Sequence, residues 1–224
     1  MVIDKVRVHK GVFIKRLNRF VCEVDLSGRI ERVHLNNTGR LLDLLIEGVD
    51  VLIMPIKGKR LRYRIVGTRV KGDEFTLIDT NLQERMFLKA HSMGLLPFLK
   101  DYVFLKRNVK IEGEVFDFLF KGNGKDLVVE LKSAVYYFSN DKSARYPDTI
   151  TIRGRKQLEK LKNLNGIVVF VAGHPYAEVF KPSYEDPEIP GILKDLREKT
   201  YAIKMSLKEN GDVLFLDGNL KVEV

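Results

Sequence analysis

The stretch that decides the fold is Glu114-Val-Phe-Asp-Phe-Leu-Phe-Lys-Gly-Asn-Gly-Lys-Asp-Leu-Val-Val-Glu-Leu-Lys132. Two apolar-rich runs flank an Asn-Gly pair, the strongest short-range signal for a β-hairpin closed by a two-residue type I′ turn. In that register Gly122 pairs with Lys125, and counting back along both strands places Asp117 opposite Glu130. Opposed side chains stand about 4.5–5.5 Å apart at Cβ. The sequence therefore predicts a hairpin that carries two carboxylates side by side.

Lys132 lies two residues beyond Glu130 and points to the same face of the sheet. Like charges opposed across a ladder destabilise it, so we expect a cation to compensate. One or two carboxylates with a substrate phosphate are the usual way of holding Mg²⁺. We therefore predict Asp117 and Glu130 as ligands of Mg²⁺ or Mn²⁺, with Lys132 orienting a water or stabilising charge on phosphorus. The alternative is an ordinary surface cluster. The nearly continuous apolar run Leu127–Leu131, typical of a strand covered on both faces, favours the site.

Asp117, Glu130 and Lys132 match the Asp…(Asp/Glu)-X-Lys pattern of the PD-(D/E)XK nuclease superfamily, which is common by chance. The chain as a whole resembles the sugar fermentation stimulation protein A (SfsA) family much more specifically. The matching motifs are Asn37-Thr-Gly-Arg40, Asp79-Thr-Asn-Leu82, Asp117-Phe-Leu119, Val129-Glu-Leu-Lys-Ser133, Tyr146-Pro-Asp148 and Thr151-Ile-Arg-Gly-Arg155. They follow the family's order over nearly all of the chain. The resemblance implies an OB-like barrel followed by a PD-(D/E)XK nuclease-like domain.

Two positions depart from the family pattern. A Ser-Arg pair is usual before Phe-Asp-Phe, where this chain has Glu114-Val115, and Thr-Glu-Arg-Gly is usual where it has Ile152 in place of Glu. The loss of that Glu removes any catalytic role at position 152. Glu112 and Glu114 offer further carboxylates, but alternation along the strand turns Glu114 to the face opposite Asp117. Their role is left open, below Asp117 and Glu130.

The fold class predicted from the pattern is α/β (α+β). About five short strands separated by turns in the first 80 residues suffice for a small barrel, and residues 79–100 are predicted as a helix and connector. Beyond them, strands alternate with helices, which indicates a mixed sheet flanked by helices. We predict an OB-like nucleic-acid-binding domain over residues 1–84 and a nuclease-like domain over residues 85–224.

The charge of the chain predicts a partner rich in phosphate. Its 224 residues carry a net charge of +9. Residues 1–80 contain 16 Lys/Arg against 10 Asp/Glu, and the remainder 23 against 20, so the N-terminal part holds most of the excess. Such a basic module is the electrostatic footprint of nucleic-acid binding. We expect nucleic acid as the partner, and the resemblance implies DNA.

The predicted nucleic-acid-binding residues fall into three groups: Lys15, Arg16 and Arg19; Arg60, Arg62 and Arg64; and Thr151, Arg153 and Arg155. The first group lies beside Phe20, an aromatic that offers a stacking surface for a base but is expected in the core. The second would form an arginine ladder on one strand face, the alternative being a charged edge strand that discourages aggregation. The third opens a helix, where cations oppose the helix dipole unless an anion is held there.

Cysteine usage and hydropathy predict the compartment. Cys22 is the only cysteine, so no intramolecular disulfide can form, and a reducing environment is expected. No signal peptide is recognised, and no run approaches the roughly 18 apolar residues of a membrane span. We expect a cytoplasmic protein without a membrane partner.

Two functions follow from these residues. The first is metal-dependent hydrolysis of a nucleic-acid phosphodiester, with Asp117, Glu130 and Lys132 as the catalytic residues. The second is a non-catalytic DNA-binding regulatory protein of sugar fermentation genes, as the family's traditional description implies. Retention of all three signature residues favours the enzyme.

Overall fold

The structure, a computed structural model, describes residues 1–224. The first seven strands are β1 (Val2–Lys5), β2 (His9–Asn18), β3 (Val21–Leu26), β4 (Arg29–His34), β5 (Asp50–Pro55), β6 (Tyr63–Lys71) and β7 (Glu74–Leu77). The next five are β8 (Val103–Ile111), β9 (Glu114–Gly122), β10 (Lys125–Ala134), β11 (Tyr136–Phe138) and β12 (Ser143–Tyr146). The last five are β13 (Gly166–Ala172), β14 (Val179–Pro182), β15 (Thr200–Lys208), β16 (Asp212–Asp217) and β17 (Lys221–Val222).

The helices are α1 (Thr80–Ser92), α2 (Ile152–Asn163) and α3 (Ile189–Asp195), with short 3₁₀ turns at Pro97–Leu99 and Arg197–Lys199. Asp79 caps α1 by accepting a hydrogen bond from the N–H of Leu82, and Thr151 caps α2 by accepting one from the N–H of Gly154. Such caps satisfy donors that the first turn of a helix leaves unpaired. None of the three helices has the length and apolar character needed to cross a membrane.

Strands β2 to β6 form the predicted OB-like barrel. They pair in the order β4-β3-β2-β5-β6, and a parallel contact between His34 and Arg64 closes β4 onto β6. Alternation along the strands turns Cys22, Val24 and Val33 inward, where they join a core cluster of 12 buried residues. Closure pairs the outer strands with each other and so protects edges that would otherwise be open.

A mixed sheet continues from the barrel, because β7 pairs with β6 on one side and with β15 on the other. From β15 the strand order is β15-β13-β10-β9-β8. β13 is parallel to both of its neighbours, β10 and β15. β9 is antiparallel to both of its neighbours, β8 and β10. β13 is buried along its whole length, as its unbroken apolar sequence requires. The predicted mixed sheet is confirmed.

Helices cover both faces of this sheet. On one face α1 places Met86 and Phe87 against Phe118 and Phe120 in a cluster of 24 buried residues, and the rings of Phe87 and Phe118 stack at 5.5 Å between centroids. On the other face α2 and α3 pack in a cluster of 17 buried residues around Phe170. A second, four-stranded sheet of order β11-β12-β14-β17 lies beside α2 and α3.

The hairpin of β9 and β10 has the predicted turn and register. Asn123 and Gly124 both have positive φ, at 52° and 74°, as a type I′ turn requires. Gly122 pairs with Lys125, and the ladder continues to Phe118. Because side chains alternate with a period of two, this register decides which face each residue of the hairpin occupies.

The predicted domain boundary near residue 84 falls inside α1. The cluster of 24 residues takes members from both sides of it, with Leu52, Val66 and Phe75 packed together with Phe118. The barrel and the mixed sheet therefore share hydrophobic core. The division of the chain at this point stays a prediction.

We expect Gly124→Ala to destabilise the protein by about 1–2 kcal/mol, because an L-residue is strained in the left-handed conformation. Gly191→Ala in α3 is the matched control, since an added Cβ meets no atom within 4 Å at either position and only Gly124 has a positive φ. The control should be neutral or stabilising by about 0.5–1 kcal/mol. Chemical denaturation measures both, and equal effects would contradict the turn assignment.

Candidate functional site

The antiparallel ladder of the hairpin opens where Asp117 faces Glu130. Regular pairing ends at Phe118 and Val129, and side chains then replace the backbone partners. The N–H of Asp117 donates to Glu130 Oε2 at 3.3 Å, and the N–H of Leu131 donates to Asp117 Oδ2 at 2.7 Å. Each carboxylate is thus held by the backbone of the opposite strand. The two predicted metal ligands lie side by side, as the turn register requires.

Lys132 completes the predicted trio. Its Nζ donates to Glu130 Oε1 at 2.6 Å and to Gln157 Oε1 at 2.7 Å. Gln157 lies on α2 and is itself fixed, because its Nε2 donates to the carbonyl of Val115 at 2.8 Å. The ammonium is therefore held from two sides beneath the surface. Gln157 was missed by sequence reasoning, and its polar side chain at a buried helix position was the available signal.

The charges of the trio are strongly coupled. Burial raises the pKa of Glu130 to about 7, against the lowering effect of Lys132. Burial also raises the pKa of Asp117. For Lys132 burial alone would lower the pKa, but Glu130, Tyr146 and Asp117 more than offset it, so that the pKa is raised and the ammonium stays charged. Arg153 and Arg107 also act on Asp117 from farther away and lower its pKa, but the only direct ion pair of the two carboxyls is that of Glu130 with Lys132.

These residues form the floor of a cavity of about 350 Å³ between the barrel and the mixed sheet. Its walls are Arg19 and residues 36–39 from the barrel, Gln83 and Glu84 from α1, residues 146–149, and the first turn of α2. Polar side chains and backbone dominate these walls. A cavity of this kind suits a polar, charged ligand better than an apolar one.

Glu84 is a third carboxylate at the cavity and was also missed. Burial raises its pKa, and the charge of Asp117 raises it further, against an ion pair with Arg107. Its helix carries no motif that would have marked it. Glu112 and Glu114, whose role the sequence left open, do not line this cavity. No group of three or more His, Cys, Asp or Glu residues in the chain is arranged to hold a metal by itself.

A loop of the barrel, residues 36–41, is tied to the floor and to one wall of the cavity. Asn37 is buried, and its Nδ2 donates to Ser133 Oγ at 3.3 Å, directly after Lys132 in β10. On the other side, Asp148 Oδ2 accepts a hydrogen bond from the N–H of Leu41 at 2.9 Å. These contacts fix the barrel's loop against the strand that carries Glu130 and Lys132.

Three of the predicted nucleic-acid-binding residues line the cavity: Arg19, Thr151 and Arg153. Arg19 lies on the barrel side and Arg153 on the helix side, and neither guanidinium forms an ion pair with a carboxylate of the chain. Thr151 caps α2. Lys15 lies outside the cavity, exposed and 3.6 Å from a carboxylate oxygen of Glu23.

The predicted arginine ladder was wrong. Arg60 and Arg62 precede β6, which begins only at Tyr63, so they do not share a strand face with Arg64. The Arg62 guanidinium pairs with Glu31 at 3.0 Å. Arg64 is largely buried, with 14% of its side chain exposed, and lies 2.8 Å from the buried carboxylate of Asp79. Arg64 therefore joins the barrel to the cap of α1 and is not free to contact phosphate.

Arg16 and Arg155 also have structural partners. Arg16 Nη1 donates to the carbonyls of Gly39 at 2.7 Å and Arg40 at 2.9 Å, so it braces the loop 36–41. Arg155 Nε donates to the buried carboxylate of Asp186 at 3.0 Å, so the anion expected at the start of α2 comes from the protein itself. Both guanidinium groups therefore have partners within the chain, and their contact with a nucleic acid stays a prediction.

Comparisons with known proteins agree with this fold. A family model described as the sugar fermentation stimulation protein RE domain matches residues 81–210, and one described as the SfsA N-terminal OB domain matches residues 14–78. Sugar fermentation stimulation protein homologs from Pyrococcus furiosus and Archaeoglobus fulgidus are 32% and 36% identical, over 95% and 94% of both chains. The structure of Pyrococcus furiosus SfsA in complex with Ca²⁺ matches with a TM-score of 0.94 at 31% identity and covers 100% of both chains. This chain belongs to the sugar fermentation stimulation protein (SfsA) family.

Proposed function

We propose that this protein hydrolyses phosphodiester bonds of nucleic acid, with DNA as the expected substrate and Mg²⁺ or Mn²⁺ as the cofactor. The observation that carries the proposal is the pair of carboxylates of Asp117 and Glu130. Each accepts a hydrogen bond from the backbone of the other's strand, and the buried ammonium of Lys132 lies beside them. A structural ion pair with Lys132 needs one carboxylate, and Asp117 forms no direct ion pair with any cation of the chain. A divalent cation supplies the missing positive charge.

The donor atoms fit a hard divalent cation. No hydrogen bond within the chain reaches Asp117 Oδ1, and the Glu130 carboxylate lies beside it at the cavity floor. Two carboxylates leave the rest of the coordination shell to water and substrate phosphate, which is typical of Mg²⁺ sites. The related protein from Pyrococcus furiosus was solved in complex with Ca²⁺, another cation that prefers oxygen ligands. When bound, such a cation polarises the phosphodiester and lowers the pKa of water.

The side chains around the carboxylates have separate tasks. Lys132 is held as an ammonium by Glu130 and Gln157, so it donates hydrogen bonds and stabilises negative charge on phosphate oxygens. Arg19 and Arg153 approach the cavity from opposite walls and hold the strand on either side. Of the predicted guanidinium groups they are the two that line the cavity and have no carboxylate partner.

Incubation with labelled DNA and RNA in Mg²⁺ or Mn²⁺ tests the activity. We expect cleavage that EDTA abolishes, and we expect Lys132→Met and Glu130→Gln to reduce the rate at least about 100-fold, as for other groups that act in the transition state. Both variants purified in parallel control for contaminating nucleases. If the parent protein binds DNA but cleaves neither polymer in either metal, the non-catalytic DNA-binding regulator replaces the enzyme.

Thermal melts test the cation site without activity. In EDTA, Asp117→Asn should leave stability equal or slightly raised, because it removes repulsion from Glu130 while Asn Oδ1 still accepts from Leu131. Mg²⁺ at 100 times its Kd should stabilise the parent by about 2.7 kcal/mol and this variant much less. Asp126→Asn, an exposed change on the same hairpin, should keep the full response. Loss of about 1–3 kcal/mol in Asp117→Asn together with a metal-indifferent parent would identify a purely structural network.

Salt-dependent binding tests the two free guanidinium groups. The double variant Arg19→Ala/Arg153→Ala should bind DNA more weakly. The decrease of log K with log salt should also become less steep, by about 1.4–1.8, since each lost phosphate contact accounts for about 0.7–0.9. The control Arg29→Ala/Arg62→Ala removes the same charge from two exposed residues that pair with Glu31. The control should bind almost as the parent does. Equal losses in both would mean that only net charge matters.

A further inference from the structure

We propose that the cavity takes an unpaired strand, and that Phe20 stacks on a nucleobase at its rim. This inference rests on the proposed function, because it names the form of nucleic acid on which the same site acts. A single-stranded segment, an unpaired end or an extruded nucleotide would enter the cavity, and an intact duplex would bind more weakly because it cannot enter.

Phe20 is an aromatic side chain presented to solvent on a fixed backbone. It was expected in the core, but it lies in the turn between β2 and β3 and is 48% exposed. Its N–H donates to Asn18 Oδ1 at 2.9 Å, and its carbonyl accepts from the N–H of Leu35 at 2.8 Å. The turn is therefore held from both sides while Phe20 stays about half exposed. An exposed ring on a rigid turn is preorganised for stacking, because binding costs little ordering of the backbone.

Arg19 connects Phe20 to the cavity. Arg19 lines the cavity, and its guanidinium lies 5.6 Å from the centroid of the Phe20 ring, although Phe20 itself does not line the cavity. The carbonyl of Arg19 accepts a hydrogen bond from Arg16 Nη2 at 2.9 Å, so the same brace that fixes the loop 36–41 also fixes this turn. A cation for phosphate and an aromatic face for a base thus lie together on one rim.

An exposed aromatic ring favours unpaired strands over duplexes. The outside of a duplex offers phosphates and sugars, whereas its base faces are stacked inside. Unpaired bases expose those faces. The exposed ring of Phe20 beside the cation of Arg19 therefore matches an unpaired strand.

The depth of the carboxylates supports the same conclusion. Glu130 is 3% exposed, at the bottom of a cavity walled by the barrel on one side and α2 on the other. A phosphate on the convex surface of a duplex would have to enter together with its neighbouring base pairs. A cavity of about 350 Å³ accommodates a strand that has left the duplex instead. Enzymes with enclosed sites meet this constraint by acting on single strands or by extruding the nucleotide.

The absence of tryptophan from the chain allows a direct test. Phe20→Trp introduces a single indole at the rim, and its fluorescence should be quenched when a single-stranded DNA oligonucleotide binds in EDTA. An abasic oligonucleotide of the same length should bind through phosphates without quenching. Leu17→Trp, at another exposed apolar position of the same hairpin, is the matched control and should show no quenching.

Fluorescence anisotropy on the same oligonucleotides gives affinities. The parent should bind the single strand more tightly than its duplex, and Phe20→Ala should weaken single-strand binding about 5- to 150-fold, as expected for loss of one stacked base. Binding of the abasic oligonucleotide should not change, and Phe20→Trp should restore affinity for the single strand. Equal affinity of the parent for duplex and single strand, or an equal loss on the abasic oligonucleotide, would overturn the inference and leave the proposed function intact. Absence of binding to any of these nucleic acids would overturn both.

Discussion

The hydrogen bonds from the backbone to the carboxylates of Asp117 and Glu130 are the interactions on which the site depends. Each carboxylate accepts from the backbone of the facing strand, at the point where ordinary ladder pairing stops. The carboxylates therefore replace backbone carbonyls as hydrogen-bond acceptors between the two strands. Their positions follow from the turn at Asn123 and Gly124, since a slip of one residue would turn both carboxylates to the opposite face.

Local rules were sufficient for the hairpin and for the helix caps. A type I′ turn demands positive φ at two adjacent residues, and Asn-Gly meets that demand, so the register could be counted from the sequence alone. The start of α2 was likewise predictable, because Thr151 is a good N-cap and Leu158 and Leu161 lie on its buried face. The barrel and the mixed sheet followed from strand spacing together with the family resemblance.

The roles of individual cations could not be predicted, because each depends on a partner far away in sequence. Nothing in the local sequence distinguishes Arg64 and Arg155 from Arg153. In the structure Arg64 and Arg155 pair with buried carboxylates, whereas Arg153 pairs with none. The same reason hid Glu84 and Gln157, which reach the site from helices whose rotation is set by core packing. Composition therefore predicts only an excess of positive charge, and the network of internal ion pairs decides which guanidinium groups remain without a carboxylate partner.

The shared core has a consequence for how the two halves of the molecule can move. Leu52 and Val66 of the barrel pack in one cluster with Phe118 and Val129, and β7 is hydrogen-bonded to both β6 and β15. Hinge closure needs a joint that few contacts cross, and this joint is crossed by hydrophobic packing and by a continuous sheet. The gap between Arg19 and the carboxylates is therefore set during folding. A ligand of this cavity would therefore meet a preset aperture and would have to adapt to it by its own flexibility.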